Sequence, residues 1–218
     1  MKKKIGIFCY IIAFIFIVLF FIKSIGTFYF TALLRISSLV VGTIIMWIGA
    51  KLINNDKLKR INMIIWFVLY IILLISLTLL DDLFYRGNKV LIFDQKFLHY
   101  YLKYYVNLHP FKMISDFIKA YLNGNLSLKY LLTNIVGNIV MFIPFALFLP
   151  RLFKKQKKFG IFFITVSLII ISIELLQLIT FSGTCDIDDY ILNIGGASIG
   201  FIAFNNKKIN KYIDKLLY

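Results

Sequence analysis

Negative charge is scarce in this chain: 10 Asp and Glu stand against 25 Lys and Arg, for a formal net charge of +15. In a soluble protein that excess would point to nucleic acid. Here the basic residues sit in short clusters between apolar runs, where they act as orientation signals, and a nucleic-acid partner is set aside. Cysteine is scarcer, with only Cys9 and Cys185, so no disulfide framework is expected. The two histidines, His99 and His109, have no ligand-spaced partner, and neither is expected to bind a metal, while a divalent cation on Glu174, Asp186, Asp188 and Asp189 stays open. No cofactor is indicated by any motif. Neither a Pro/Gly/Ser-rich linker nor a repeat of fixed period divides the chain. The opening MKKK followed by an apolar run has the shape of a secretion signal, but the run continues to Ile22 with no small-residue cleavage site after it. That segment is read as an uncleaved first helix.

What the chain has in abundance is apolar sequence: 61% of residues are hydrophobic and the mean hydropathy is +0.86. Apolar stretches at 5–22, 27–53, 61–80, 131–149, 159–181 and 188–204 are each expected to cross a bilayer. The fold class is therefore all-α, a polytopic transmembrane helical bundle of about six spans. The intervening segment 81–130 carries charge every few residues and is a long loop on one side. Within it Phe111, Ile114, Phe117, Ile118, Tyr121 and Leu122 recur at helical spacing, which predicts a helix lying in the membrane interface. Residues 1–60 are read as N-terminal transmembrane helices, 61–205 as the principal membrane domain and 206–218 as a basic tail. Most basic residues then fall on the same side as the N-terminus, as clusters at Lys2–Lys4, Lys51–Arg60, Arg151–Lys158 and Lys207–Lys215. This predicts a multi-pass protein of the cell membrane with both termini in the cytoplasm.

Against this apolar background, certain polar residues stand out. Ionisable and amide side chains within spans are expensive and mark candidate sites. Asn134 and Asn138 open the fourth span, Glu174 and Gln177 lie near the end of the fifth, and Asp186, Asp188, Asp189 and Asn193 lead into the sixth. With a rise of about 1.5 Å per residue across a core of about 30 Å, all of these fall in the outer third of the membrane. Arg35 in the second span falls at the same depth and is expected to pair with Glu174 or an aspartate. The i, i+4 and i, i+3 spacings of Asn134/Asn138, Glu174/Gln177 and Asp189/Asn193 let each helix aim two polar groups at one point. Gly137, Pro144, Gly195, Gly196 and Gly200 are expected to shape helix packing, Pro144 as a kink and the GxxxG of Gly196 and Gly200 as a close contact.

The ordered set Asn134, Gly137, Asn138, Phe142, Pro144, then Glu174 and Gln177, then Gly183, Asp186, Ile187, Asp188, Asp189, Asn193, Gly196 and Gly200 resembles the VanZ-like integral membrane proteins. That family takes its name from a teicoplanin-resistance accessory protein. The sequence Asn107–Phe111, NLHPF, is similar to the family's NLxPF element, and the resemblance covers about residues 60–205. The chain departs from the pattern at Ala146, where relatives have glycine or another small residue, and near Thr184, where many carry an arginine. The resemblance implies lowered susceptibility to glycopeptides such as teicoplanin, which act on lipid-anchored wall precursors at the extracytoplasmic face. The expected partners are the lipid bilayer and either a lipid-linked cell-wall precursor or the glycopeptide. Two other classes stay open from the residues: a membrane enzyme acting on a lipid-linked or phosphate-bearing substrate at the outer leaflet, and a small-molecule transporter.

Overall fold

A computed structural model describes residues 1–21, 32–80, 95–180 and 182–217. The predicted connection around Lys23 and Gly26 and the side chain of Arg35 lie outside the described residues. The chain forms two compact units, Met1–Leu73 with Asn210–Tyr218, and Leu74–Ile209.

In the first unit, α1 (Lys2–Phe21), α2 (Ala32–Ile53) and α3 (Asp56–Ile75) follow one another in sequence. Small residues let α1 and α2 approach closely: a Cβ on Gly6 would stand 2.9 Å from the Gly49 carbonyl oxygen, and one on Gly42 3.2 Å from that of Ala13. The α2–α3 turn is made by Asn54 in the left-handed region (φ 51), a conformation that asparagine tolerates. Asn62 ties the three helices together. Its Oδ1 accepts from the Tyr10 hydroxyl at 2.8 Å and its Nδ2 donates to the Met46 carbonyl at 3.3 Å. Phe20, Leu39 and Leu69 form the buried cluster beside them.

The second unit begins with a π-helical turn, Ser76–Leu80, that ends α3. Then come α4 (Gln95–Tyr105), β1 (Val106–Asn107), α5 (Lys112–Leu122), α6 (Leu128–Leu152), a 3₁₀ turn (Lys154–Lys157), α7 (Phe159–Ile179), β2 (Cys185–Asp186) and α8 (Ile187–Asn205). A basic amphipathic helix, α9 (Lys207–Leu217), ends the described chain. Ser127 caps α6 by accepting from the Tyr130 amide at 3.3 Å, and the helix runs through both Pro144 and Pro150 without interruption. Phe142, Phe145, Ala146 and Leu149 on its inner face are buried, as are Phe162, Val166 and Ile170 of α7 and Ala197 and Phe201 of α8. Phe201 lies 4.7 Å from Phe162 and 5.4 Å from Phe159, centroid to centroid.

The α6–α8 contact depends on glycine. A Cβ on Gly196 would fall 1.9 Å from the Ile139 carbonyl oxygen, and one on Gly200 would fall 3.1 Å from Ala146 Cβ. Gly137 and Gly195 do not share that role. A Cβ at either would meet nothing within 4 Å. Gly195 points away from the GxxxG contact because it is one residue, about 100°, around the helix from Gly196.

Among the described residues, five helical stretches are long and apolar enough to cross a membrane: Lys2–Phe21, Asp56–Leu79, Leu128–Leu152, Phe159–Ile179 and Ile187–Asn205. The apolar stretch Ser37–Ile53 of α2 is shorter. Large apolar side chains such as Phe14, Ile164 and Ile202 face outward, as lipid-facing residues do. The expected interfacial helix is α5, which buries none of its residues. The segment before it holds two features that periodicity does not reveal: α4, and the parallel pairing of Val106 with Cys185 and Asn107 with Asp186.

Candidate functional site

The start of α8 organises the site. Asp186 is its N-cap: extended backbone (φ −122, ψ 127) turns the carboxylate onto the Asp188 amide at 2.8 Å, satisfying one of the orphan donors of the first turn. The same carboxylate accepts from Asn107 Nδ2 through both oxygens, at 3.1 and 3.0 Å. Asn107 Oδ1 in turn accepts from the His109 amide at 3.2 Å, which shapes the turn leading into α5. Burial pushes the Asp186 carboxyl above its ordinary range and the Asp188 charge adds to this, while the Asn107 bonds, the Asp188 amide and the Lys112 charge pull it down.

Asp188 is fully buried. Helix α5 has no side-chain cap of its own, since Phe111 occupies the N-cap in the left-handed region (φ 62). Asp188 supplies the cap from α8. One carboxylate oxygen accepts from the Phe111 amide and the other from Ile114 at 3.1 Å. A carboxylate at a helix N-terminus also meets the positive end of the macrodipole. Asp186 and Asp188 are therefore joints between the long loop and α8. Backbone and amide donors occupy both carboxylates, and neither residue lines the cavity that the other polar residues share. Tyr101 adds a third tie, its hydroxyl donating to the Gly183 carbonyl.

Six of the other polar residues border a single cavity. Asn134 and Asn138 of α6, Glu174 and Gln177 of α7, and Asp189 and Asn193 of α8 line one cavity of about 190 Å³, with Thr78, Thr133 and Thr184 at its edge. Asn138 Nδ2 donates to Asp189, linking α6 to α8. Gln177 Nε2 donates to the Thr78 carbonyl at 2.9 Å, a buried bond that anchors α7 to the π-helical turn. Asn134 Nδ2 donates to the Tyr130 carbonyl of its own helix at 2.8 Å. Glu174 is buried, and its Oε2 accepts from the Asp186 amide at 3.4 Å. Gly137, expected as a packing residue, forms part of the cavity wall instead, which explains the open space beside it.

Glu174 also borders a second, apolar cavity of about 220 Å³ between Leu108, Ile171, Leu175 and Tyr190, with Cys185 and Asp186. The Cys185 thiol is pushed up by burial and then by the charges of Glu174, Asp186 and Asp189. Among the described residues, no three His, Cys, Asp or Glu side chains gather closely enough to hold a metal ion. Sequence reasoning from residue types missed Asn107 and Tyr101. The NLHPF element was the signal for the first, and nothing in the periodicity marks the second.

These features define a multi-pass helical membrane protein whose apolar spans enclose a polar cavity. The VanZ/LLP1 family matches residues 67–208, and the chain belongs to that family. No curated protein and no solved structure matches the chain significantly.

Proposed function

We propose that this VanZ-like membrane protein lowers susceptibility to glycopeptides such as teicoplanin by acting at the extracytoplasmic face of the membrane. The observation that carries the reading is the position of the polar cavity. Its walls come from the N-terminal half of α6, the first turns of α8 and the last turns of α7, on the side of these helices away from the Arg151–Lys158 connection, together with the π-helical turn and α5. The positive-inside rule favours a cytoplasmic location for that basic connection and both termini, and hence an outer location for the cavity. There it would meet a lipid-linked wall precursor or the drug itself. The test is expression in a susceptible host with teicoplanin and vancomycin inhibitory concentrations measured. A raised teicoplanin value is expected, and it should be lost in Asn138→Leu and Asp189→Asn at unchanged membrane levels. No change for either drug would count against the reading.

A second reading, a membrane enzyme acting on a lipid-linked or phosphate-bearing substrate, is favoured by the presence of two carboxylates, Glu174 and Asp189, in one wall, where they could serve as acid and base. Turnover of polyprenyl phosphates by purified protein with Mg²⁺, abolished in Glu174→Gln, would support it.

A further inference from the structure

A single residue ends α8 and starts α9. Asn206 has extended backbone (φ −60, ψ 126); its amide donates to the Ala203 carbonyl at 3.2 Å, closing α8, and its Oδ1 accepts from the Lys208 amide at 3.0 Å, opening α9. No loop separates the two helices. Because α8 is long and apolar enough to cross a membrane, α9 begins where the chain leaves the bilayer, at headgroup depth. The side chains of α9 then sort into three faces. Asn210, Ile213 and Asp214, spaced i, i+3, i+4, are half-buried within the protein. Ile209 and Tyr212 make an exposed apolar face, 42% and 69% accessible. Lys207, Lys208, Lys211 and Lys215 are all exposed and lie within about 100° of one another around the helix, next to that apolar face. Against these four lysines α9 holds one acid, Asp214, whereas the interfacial α5 sets Lys112 and Lys119 against Asp116. Charge of one sign is concentrated on α9.

We infer that α9 docks on anionic lipid headgroups of the bilayer its own chain spans, with Ile209 and Tyr212 at the acyl boundary and Lys207, Lys208, Lys211 and Lys215 against lipid phosphates. The occupant follows from chemistry and position together. A basic amphipathic helix buries its apolar face at the headgroup and acyl boundary and gains further from anionic lipid. Tyrosine settles at that depth, since its ring is apolar and its hydroxyl wet. Four lysines directly after a span match the density that recognises acidic lipids. The neighbouring connection agrees with them. Phe201 of α8 packs 5.4 Å from Phe159, the first residue of α7, so the exposed Lys154, Lys155, Lys157 and Lys158 lie toward the same end of α8. A soluble acidic segment would satisfy the lysines. An anionic membrane surface offers phosphates and an apolar layer side by side, at the depth where α8 delivers α9.

Lipid docking is independent of the proposed function, because it is read on purified protein in discs whose two leaflets are alike. The full chain with Cys9→Ser, Cys185→Ser and Tyr212→Cys, labelled with an environment-sensitive aromatic fluorophore, would be placed in nanodiscs of phosphatidylcholine with increasing phosphatidylglycerol. An uncharged, water-soluble nitroxide quencher reports how exposed the probe is. Phosphatidylglycerol should blue-shift and protect the probe saturably, and phosphatidylcholine alone should not. Raising salt from about 0.1 to about 1 M should reverse the protection, since the Debye length falls from about 10 to about 3 Å. Lys208→Gln, Lys211→Gln and Lys215→Gln, each alone, should lower the docked-to-undocked ratio about fivefold, the worth of one lysine at an anionic surface. Lys211→Arg should keep it. The salt titration leaves all four lysines in place and serves where a lysine variant does not fold. The inference is overturned if phosphatidylglycerol gives no protection, if phosphatidylcholine alone protects equally, or if neither salt nor the Lys→Gln variants release the probe. Protection by polyglutamate in phosphatidylcholine discs, without protection by phosphatidylglycerol, would overturn it in favour of an acidic protein partner.

Discussion

Asp188 and Asp189 are adjacent in sequence and do opposite work. Successive helical residues point about 100° apart, so one carboxylate turns to the α5 N-terminus and the other to the cavity. Replacing Asp188 with Leu strips both the Phe111 and Ile114 amides of their acceptor. The expected cost is about 2–4 kcal/mol of stability, seen as a lowered unfolding midpoint and faster proteolysis within residues 106–125. Asp189→Asn leaves an amide oxygen for Asn138 and should unfold close to the native chain while losing site function. Asp186 carries a pH signature. Its folded pKa lies above the unfolded value, so the folded chain holds the proton more tightly and protonation favours folding. The contribution is most favourable below the ordinary carboxylate range, declines as pH rises through it to the raised folded value, and is flat above. Unfolding midpoints of native and Asp186→Asn chains compared from pH 4 to pH 7 should show the native chain gaining relative to the variant as pH falls. The charges that face this group, Asp188 and Lys112, stay in place in both chains.

At the scale of elements, the α6–α8 contact is the tightest in the second unit, and it separates glycines that look equivalent in sequence. Gly196→Ala drives a Cβ into the Ile139 backbone, which cannot swing aside as a side chain could, and should cost about 1–3 kcal/mol or more by overpacking. Gly195→Ala and Gly137→Ala meet open space and should be neutral or slightly stabilising, since alanine is favoured over glycine in a helix by about 1 kcal/mol. Unfolding midpoints of the three variants side by side check this. Periodicity located α5, whose apolar residues recur at helical spacing, while the long helices were legible from the length of their apolar runs and α4 from neither. It could not locate β1 and β2, since two-residue strands leave no periodic trace, nor could it tell Gly196 from Gly195 without the partner helix.

For the whole molecule, the distribution of basic residues favours both termini and the Arg151–Lys158 connection on the cytoplasmic side. In a background without Cys9 and Cys185, a cysteine at Lys155 should resist a membrane-impermeant maleimide applied to intact cells, and one at the exposed Leu108 should react. The reverse pattern would place the cavity on the inner side and remove the basis for action on extracytoplasmic targets.

Hydropathy, charge and the ordered polar residues were by themselves enough to determine that this chain is a bundle of membrane helices of the VanZ/LLP1 family. Those properties add up along the chain, so they can be read without knowing what touches what. Only the tertiary structure decided how the polar groups divide: Asp186 and Asp188 to the joints, Asn134, Asn138, Glu174, Gln177, Asp189 and Asn193 to the cavity. The physical reason is that a carboxylate's role depends on which donors reach it, and here those donors lie some 75 residues away, on Asn107, Phe111 and Ile114.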